Sequence, residues 1–341
     1  MIRLAVVGVG HWGPNLVRNF HNRPASEVVW VADRAEKRLD EIRKRFPDIR
    51  LSVDAEPALA DPTVDAVVIA TPTGTHHVVA KRALELGKHV LVEKPLAHTV
   101  EAGRELCALA AAQKKLLMVG HVFLFNPAVR RVSEYLKAQE LGRVLYISMV
   151  RTNLGPIRTD VNAAWDLASH DISVANEWLG AVPQSVAATG GSWINPGVMD
   201  AVFATLRYPG GVVVNLHASW LNPRKVRDIT VVGEKKMLTF DDMNITEPLR
   251  IYDKQVTDLR TNTAYADTFA SFRSSIREGD ILIPRMATGE PLRAECDHFL
   301  ESVRANTQPR SDGNVGLAVV KVLEALERSL AGNGQSVEVE A

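Results

Sequence analysis

The chain of 341 residues is longer than one hydrophobic core usually organises, so we expect two domains. Hydrophobic residues make up 46% of it, and 40 Lys and Arg balance 40 Asp and Glu, which argues against disorder, a nucleic-acid partner or an anionic membrane surface. Two cysteines are too few for a disulfide framework. The sequence also shows no secretory signal pattern and no apolar run of membrane length. Together these observations favour a cytoplasmic protein.

Residues 1–121 alternate between short apolar runs and helical patterns. Apolar runs of this kind predict parallel strands buried on both faces, at residues 4–9, 28–32, 66–70, 89–92 and 116–120. Helical patterns lie between them: one up to about residue 20, one at 35–46, one that ends at Gly87, and one at 99–113. Alternating strand and helix units predict an α/β Rossmann domain with a doubly wound parallel sheet over residues 1–121.

The pattern changes after residue 121. Two hairpins are predicted, residues 201–208 with 212–218 around Pro209-Gly210-Gly211, and residues 229–232 with 236–240. Helical patterns occupy residues 128–138, 170–179, 292–305 and 315–330. Residues 122–341 therefore read as an α+β domain with an open, mainly antiparallel sheet for substrate binding and oligomerisation. Packing of the terminal helices back on the Rossmann domain stays an open alternative.

A glycine-rich loop connects the first predicted strand to the first helix. Gly8, Gly10 and Gly13 form a GxGxxG pattern in which the glycines permit a tight turn, close approach of the backbone to a pyrophosphate, and close packing of helix on strand. The helix N-terminus offers N–H groups and a positive dipole end to the phosphates. His11 and Trp12 lie inside the pattern, and we expect them to line this loop rather than to take part in the chemistry. The loop predicts a dinucleotide site.

An acidic residue stands where the second predicted strand ends. Asp33 lies twenty residues beyond Gly13, where a carboxylate can accept hydrogen bonds from both ribose hydroxyls. This favours NAD over NADP, because a 2′-phosphate would meet a negative charge. Arg34 and Arg38 lie nearby and suit such a phosphate, so NADP remains the alternative cofactor.

Two further segments are more specific than the glycine loop. Thr71-Pro72-Thr73-Gly74-Thr75-His76 follows the strand at 66–70, and Glu93-Lys94-Pro95 follows the strand at 89–92. With the glycine loop in front, the chain closely resembles the glucose-fructose oxidoreductase, inositol dehydrogenase and rhizopine catabolism (Gfo/Idh/MocA) family. The resemblance implies that Thr71, Pro72, His76 and Glu93 line the cofactor cleft. It places Lys94 beside nicotinamide and substrate, where its ammonium group can stabilise a developing negative charge.

The resemblance extends to a second catalytic element, Asp-x-x-x-His, here Asp166 and His170. A spacing of four residues brings both side chains to one side of a helix start. The near-neutral pKa of histidine suits His170 to proton exchange with the reacting hydroxyl, while Asp166 is expected to orient the lysine and histidine. The family usually has an aspartate three residues after the histidine. Here that position is Ser173, and Asp171 is a partial substitute.

The resemblance also suggests the substrate. Three stretches that contain Trp12, Asn126 and Trp220 look like the nucleotide-sugar branch of the family, whose members oxidise or reduce C3 of UDP- or dTDP-sugars. The substrate-binding residues we expect are Lys94, His121, Asn126, Arg151, Asn153, Arg158, Asp166 and His170. Arg224, Lys225 and Arg227 add cations that suit a diphosphate.

Other functions stay open at this point. One is an inositol-type dehydrogenase acting on a free cyclitol or hexose, a second is a non-redox enzyme that uses bound NAD to cleave glycosides, and a third is a cofactor-binding regulator. Intact Lys94, Asp166 and His170 argue against the regulator. No metal-ligand set emerges, and an open sheet with one exposed face suggests a homodimer or homotetramer.

Overall fold

The computed structural model describes residues 1–159, 161–253, 255–256, 276–277 and 279–340. The chain divides into two compact units. The first comprises Met1–Asn126 and Gly289–Glu324, and the second comprises Pro127–Thr288 and Ala325–Ala341. The terminal segment is thus shared between the units, with its larger part in the first.

The first unit is built on a parallel sheet of six strands in its described residues, in the order β3-β2-β1-β4-β5-β6. The strands are β1 (Ile2–Val7), β2 (Ser26–Ala32), β3 (Arg50–Ser52), β4 (Ala66–Ile69), β5 (His89–Glu93) and β6 (Leu117–Gly120). Strands β4 and β6 are buried along their whole length, as expected for apolar strands covered on both faces. This strand order is that of a Rossmann sheet, so the predicted fold of this part is confirmed.

Helices of both units lie close to their predicted positions. They are α1 (Gly13–His21), α2 (Glu36–Arg45), α3 (Glu56–Ala60), α4 (His76–Glu85), α5 (Val100–Ala112), α6 (Pro127–Lys137), α7 (Ser169–Leu179), α8 (Pro291–Ala305) and α9 (Gly313–Ala331). Short helical turns occupy Thr73–Thr75, Val122–Phe125, Ala164–Ala168 and Pro209–Gly211. Helix α3 and strand β3 are absent from the sequence prediction because each is too short to show a periodic pattern.

The second unit contains a sheet of nine strands among the residues described, in the order β16-β13-β12-β11-β7-β10-β9-β8-β17. The strands are β7 (Val144–Leu154), β8 (Ser185–Gly191), β9 (Ala201–Arg207), β10 (Val213–Ser219), β11 (Leu221–Gly233), β12 (Met237–Asp241), β13 (Leu249–Tyr252), β16 (Ile281–Leu282) and β17 (Val337–Glu338). Gln255–Val256 (β14) and Ile276–Arg277 (β15) pair separately. Both predicted hairpins form, and β7 with β10 is a parallel pair in an otherwise antiparallel sheet.

Helix α8 packs within the first unit against α1. The rings of Phe20 and Phe299 meet edge to face with centroids 6.3 Å apart, and Arg18 pairs with Glu290 at 2.6 Å. Helix α8 also lies against the short turn Val122–Phe125. These contacts hold α8 against α1 and against the turn that follows β6.

Two properties of the described residues limit what the chain can bind or cross. Every helix there is too short or too polar to cross a membrane. The same residues hold no group of three or more His, Cys, Asp or Glu side chains arranged for a metal ion. Cys107 and Cys296 are free thiols, and Cys296 is buried in α8.

Candidate active site

The glycine loop between β1 and α1 is shaped by two close approaches. Gly8 has φ +93°, and a Cβ on it would lie 2.7 Å from the backbone of Ala70 and Thr71. A Cβ on Gly13 would collide with the carbonyl oxygen of Gly8. Both positions therefore require glycine. A Cβ on Gly10, by contrast, meets only Arg38 Nη1 at 3.7 Å, so the loop leaves room beside Gly10.

The start of α1 suits an anion. Helix α1 begins at Gly13 with Pro14 in its first turn, and Trp12 at the N-cap makes no side-chain hydrogen bond to the helix. Its first N–H groups carry the positive end of the helix dipole. His11 and Trp12 are exposed beside this end. The open space at Gly10 and this helix start together fit the pyrophosphate of NAD.

Asp33 joins the end of β2 to the glycine loop. Its Oδ2 accepts a hydrogen bond from the Val9 N–H at 2.8 Å, and its Oδ1 accepts one from the Ala35 N–H at 2.8 Å. Arg38 Nη1 lies 3.6 Å from Oδ2, with its side chain half exposed, and Arg34 is exposed. The structure thus brings Asp33 and Arg38 together at the glycine loop.

His76 connects the loops after β4 and β5. It is buried, with Nδ1 2.8 Å from the carbonyl oxygen of Pro95 and Nε2 2.9 Å from that of Thr71. Thr75 Oγ1 donates within the same loop, to Thr71 or to the carbonyl of Pro72. His76 therefore connects the Pro95 backbone to the Thr71 backbone. Thr71 is partly exposed and Pro72 is exposed, so both are accessible from solvent.

The end of β5 holds a carboxyl group and a cation. Glu93 is partly exposed as a residue, but its carboxyl group is enclosed by protein and lies against Gly120, whose added Cβ would meet it at 3.1 Å. Burial raises the pKa of Glu93 to about 7, opposed by the Lys94 charge, by the Lys94 N–H at 3.3 Å and by a hydrogen bond from the Trp12 side chain. The structure thus joins three predicted cofactor residues: Trp12, Glu93 and Lys94.

His121 follows β6 and is fully buried. Among the described residues, neither of its ring nitrogens has a hydrogen-bond partner. Burial, together with the Lys94 charge, lowers the pKa of His121 to about 3, so the ring is neutral near pH 7. Asn126, at the end of the following turn, is partly exposed.

One residue that sequence reasoning missed lies beside this group. Glu295 in α8 is fully buried, and neither carboxyl oxygen has a hydrogen-bond partner within the described part of the chain. Burial and the Glu93 charge raise its pKa well above the ordinary value. The sequence could have indicated this residue, because Glu295 is a charged residue at a position in line with the apolar residues Leu292, Cys296 and Phe299 of the helix.

Arg158 and Trp220 both donate to Asp166 in the second unit. Arg158 Nη1 donates to its Oδ1 at 3.1 Å, and the indole Nε1 of Trp220 donates to its Oδ2 at 3.1 Å. Asn162 Oδ1 caps the turn that carries Asp166 by accepting from the N–H groups of Ala164 and Trp165. The structure therefore brings Arg158 to Asp166. Trp220, which the sequence suggests only through the family resemblance, completes this group.

His170 is the second residue of α7, directly after the turn that carries Asp166. Its carbonyl accepts a hydrogen bond from Ser173 Oγ at 2.7 Å, so Ser173 acts on the backbone of the helix. The next residue, Asp171, forms a buried ion pair with Arg151, with 2.6 Å between Nη2 and Oδ1. Arg151 is only 4% exposed, and its guanidinium group donates to the Asp171 carboxylate. This ion pair connects α7 to β7.

Asn153 lies opposite a bulge in the second sheet. Leu221 pairs with Leu154 and Val226 with Thr152, so four residues of β11 stand opposite Asn153 alone. Arg224 and Lys225 belong to this bulge and are exposed. Arg227, beyond it, pairs with Asp242 at 2.9 Å.

Two family models cover most of the chain. The NAD-binding Rossmann fold of the GFO_IDH_MocA oxidoreductases matches residues 2–121, and the GFO/IDH/MocA C-terminal domain matches residues 129–239. The chain belongs to the Gfo/Idh/MocA family. The family resemblance found in the sequence, the Rossmann fold with a second, mainly antiparallel domain, and NAD as cofactor are confirmed.

Individual members of the Gfo/Idh/MocA family match over almost the full length. UDP-N-acetylglucosamine 3-dehydrogenase from Acidithiobacillus ferrooxidans is 29% identical over 94% of each chain, and its solved structure has a TM-score of 0.81 over 98% of this chain and 99% of that one. The NAD-dependent scyllo-inositol 2-dehydrogenase of Bacillus subtilis is 26% identical over 90% of this chain and 88% of its own. GenD2 from gentamicin A biosynthesis, solved with NAD, is 26% identical with a TM-score of 0.81 over 100% of this chain and 97% of that one.

The chain is therefore an NAD-dependent oxidoreductase of the Gfo/Idh/MocA family that acts on a CH–OH group of a sugar or polyol. The residues at Gly10 and the start of α1 fit the cofactor, as their open space and N–H groups indicate. The roles assigned to individual site residues stay predictions.

Proposed function

We propose that this enzyme oxidises or reduces the C3 position of a nucleotide sugar, with a UDP-linked N-acetylaminosugar as the first candidate. The observation that carries this proposal is the exposed pair of cations at the β11 bulge, beside Asn153. Two adjacent cations suit a diphosphate, which a free cyclitol lacks. The similarity to a UDP-N-acetylglucosamine 3-dehydrogenase along 94% of both chains supports the same substrate class.

Lys94, His170 and Asp166 are the proposed catalytic residues. Bound NAD supplies the hydride acceptor, or NADH the donor. The Lys94 ammonium group donates a hydrogen bond to the reacting oxygen and stabilises negative charge that develops there. His170 exchanges the hydroxyl proton, which is general acid–base catalysis. Asp166, oriented by Arg158 and Trp220, places a carboxylate next to the helix start that carries His170.

Cofactor residues act mainly through the backbone and through charge. The N–H groups at the start of α1 bind the pyrophosphate, and Gly10 leaves the space for it. Asp33 accepts from the ribose hydroxyls while it remains bonded to the Val9 and Ala35 N–H groups, since each carboxylate oxygen can accept more than one hydrogen bond.

We also propose that the enzyme is a homodimer or homotetramer that uses the uncovered face of the second sheet. Phe203 is 49% exposed and stacks on His217 with ring centroids 4.5 Å apart, and Tyr146 is 45% exposed. Exposed aromatic residues on a sheet face are typical of protein interfaces. Light scattering of the wild type and of Phe203→Asp tests this: a dimer or tetramer that the substitution shifts towards monomer is expected, and a monomeric wild type would contradict it.

The substrate is tested by steady-state kinetics with NAD. UDP-N-acetylglucosamine, free N-acetylglucosamine, myo-inositol and scyllo-inositol are compared by the rate of NADH formation. We expect kcat/KM for the nucleotide sugar to exceed the others by more than about tenfold, equivalent to about 1.4 kcal/mol. A preference for an inositol would favour the second candidate, a cyclitol dehydrogenase, which the similarity to scyllo-inositol 2-dehydrogenase supports.

A further inference from the structure

The loop between β8 and β9 presents two large apolar side chains to solvent. Trp193 is 65% exposed and Ile194 is 55% exposed, whereas the other tryptophans of the second unit are all buried. The Trp193 ring covers Gly191, where an added Cβ would collide with it. The fold therefore holds a large aromatic ring against its own backbone and leaves most of that ring in contact with water.

A buried aspartate holds the start of this loop. Asp200 is 0% exposed, and its Oδ2 accepts hydrogen bonds from the N–H groups of Trp193 at 2.6 Å and Ile194 at 2.8 Å. Its own N–H donates to the Gly191 carbonyl at 2.8 Å, which closes the loop at its base. Hydrogen bonds to a carboxylate are stronger than those between neutral groups. The two exposed side chains therefore project from a fixed backbone.

The same loop is bound to the turn that carries Asp166. The Asp200 carbonyl accepts the Trp220 N–H at 3.0 Å, and the indole of Trp220 donates to Asp166 at 3.1 Å. At the far end of the loop, the Met199 carbonyl accepts the N–H of Ala163, the N-cap of the turn, at 2.9 Å. Both ends of the loop are thus joined by hydrogen bonds to the surroundings of the proposed catalytic carboxylate.

Strand pairing shows on which side of Asp166 the loop lies. Gly191, where the loop leaves the sheet, Ala201, where it returns, and Ser219 at the end of β10 are paired in one row. Ser219 also pairs with Thr152 of β7, beyond which lies the bulge of β11. The loop and the bulge are therefore at the same end of the sheet, on opposite sides of β10, which leads directly into Trp220.

We propose that Trp193 contacts the substrate, with its indole face packed on the C–H face of the six-membered ring of a sugar or cyclitol and Ile194 beside it. Such C–H groups carry partial positive charge, and the face of an indole is negative. Ligand sites combine aromatic surface with a few polar groups, and Asp166 is the polar group here. Asp200 is a positioning residue that acts through the loop.

The inference rests on the proposed role of Asp166 and deepens the proposed function. With the diphosphate of a nucleotide sugar at the β11 bulge and C3 near Asp166, Trp193 lies on the side of the ring remote from the diphosphate. It then contacts the C4 and C5 side of the pyranose. A free cyclitol offers the same C–H face, so the contact does not require the nucleotide.

Steady-state kinetics test the contact. Trp193→Ala should raise KM for the preferred substrate at least about tenfold with little change in kcat, since it removes binding that ground and transition states share. Trp193→Phe keeps a flat ring and should stay within about threefold of wild type. Ile245→Ala, 93% exposed between β12 and β13, is the control and should match wild type. A wild-type KM for Trp193→Ala would overturn the proposal.

The choice of substrate separates this inference from the proposed function. The preferred substrate is the one with the highest kcat/KM among UDP-N-acetylglucosamine, N-acetylglucosamine and the two inositols, all of which contain a six-membered ring. Preference for an inositol would contradict the nucleotide sugar and leave the prediction for Trp193 in force. Light scattering of Trp193→Ala should show the wild-type oligomeric state. A shift towards monomer with unchanged KM would assign Trp193 to a subunit interface and overturn the proposal.

Substitutions of Asp200 test its positioning role. Asp200→Asn keeps an oxygen that accepts both N–H groups and should leave KM within about threefold of wild type. Asp200→Ala frees the loop and should raise KM about tenfold with kcat nearly unchanged. Combined with Trp193→Ala it should raise KM no further, because both substitutions remove one contact. A lower kcat and melting temperature at unchanged KM, or additive effects on KM, would overturn the role of Asp200.

Discussion

The indole Nε1 of Trp220 donates to Asp166 Oδ2 at 3.1 Å from a ring that is only 1% exposed. Arg158 holds the other oxygen of the same carboxylate at the same distance. A buried, rigid donor fixes the carboxylate more tightly than a partly exposed arginine, which has many rotamers to lose. Trp220 is therefore the more rigid of these two donors to Asp166.

Trp220→Phe keeps most of the ring and removes the donor. Hydrogen bonds to charged groups contribute about 1.5–3 kcal/mol, so we expect kcat to fall by about tenfold to a hundredfold if Asp166 orients the catalytic groups. Trp178→Phe is the matched control, because Trp178 is also buried but donates to the Val129 carbonyl. It should lose stability and keep kcat; equal kcat in both variants would contradict the role of Asp166.

Lys94 and His170 are expected to carry the chemistry. Lys94→Met and His170→Gln should each lower kcat by about 10²–10⁴-fold, the usual range for acid–base and charge-stabilising groups. Circular dichroism checks that the variants are folded. Lys81→Met and His77→Gln, which both remove contacts to Glu105 on the surface, are the controls. Near wild-type turnover in the two site variants would reject the mechanism.

Cofactor preference is predicted to depend on the pair Asp33 and Arg38. Asp33→Ser removes the charge that repels a 2′-phosphate and releases Arg38, which then pairs with that phosphate. The ratio of kcat/KM for NADP to that for NAD should rise by at least about tenfold, or about 1.4 kcal/mol. Adding Arg38→Ala should abolish the gain. An unchanged ratio of kcat/KM for NADP to that for NAD would contradict the prediction that Asp33 binds the ribose.

The cations of the β11 bulge are predicted to bind the diphosphate. Arg224→Ala with Lys225→Ala should raise KM for the UDP-sugar about tenfold, more at low salt than at high salt, because exposed charges are screened. Activity on a free sugar, which lacks the diphosphate, should not change. Lys235→Ala, an exposed lysine just beyond the far end of β11, serves as the control. An equal loss of activity with the UDP-sugar and with the free sugar would show that the two cations stabilise the fold and do not bind the diphosphate.

The Rossmann unit was predictable because its signals are local. A buried strand such as β4 is a continuous apolar run, and the positions of Gly8, Gly13 and Asp33 follow from one turn and one strand end. Strands β7 and β8 escaped prediction, since β7 mixes arginine, threonine and asparagine with apolar residues. Such a strand is defined by the neighbours with which it pairs, which the sequence does not show.

Contacts among the candidate site residues were predictable only where those residues are close in the sequence. Asp166 and His170 share one helix start, but the donor Trp220 comes from the junction of β10 and β11. Arg151 illustrates the same limit: the sequence predicts it as a cation for the substrate but does not reveal its ion pair with Asp171 at 2.6 Å. Whether a polar residue meets a ligand or a partner depends on contacts between distant segments.

His121 gives a prediction about stability and pH. Its pKa is lowered to about 3 by burial and by Lys94, so the unfolded chain binds this proton between about pH 6.5 and pH 3 and the folded chain does not. Its contribution to stability is present above about pH 6.5 and is lost as the pH falls towards 3, by up to about 1.4 kcal/mol per pH unit.

His121→Leu removes this titration. Relative to wild type, its free energy of unfolding should be about 2 kcal/mol larger at pH 5 than at pH 7.5, so the variant gains relative stability at the lower pH, as measured by urea unfolding at both pH values. His21→Gln, an exposed histidine in the same unit, should show no such change. If the His121→Leu difference were the same at both pH values, the buried ring would have to accept a proton in the folded state. Its neighbourhood would then be open to water or to an anion, in conflict with the complete burial of both ring nitrogens.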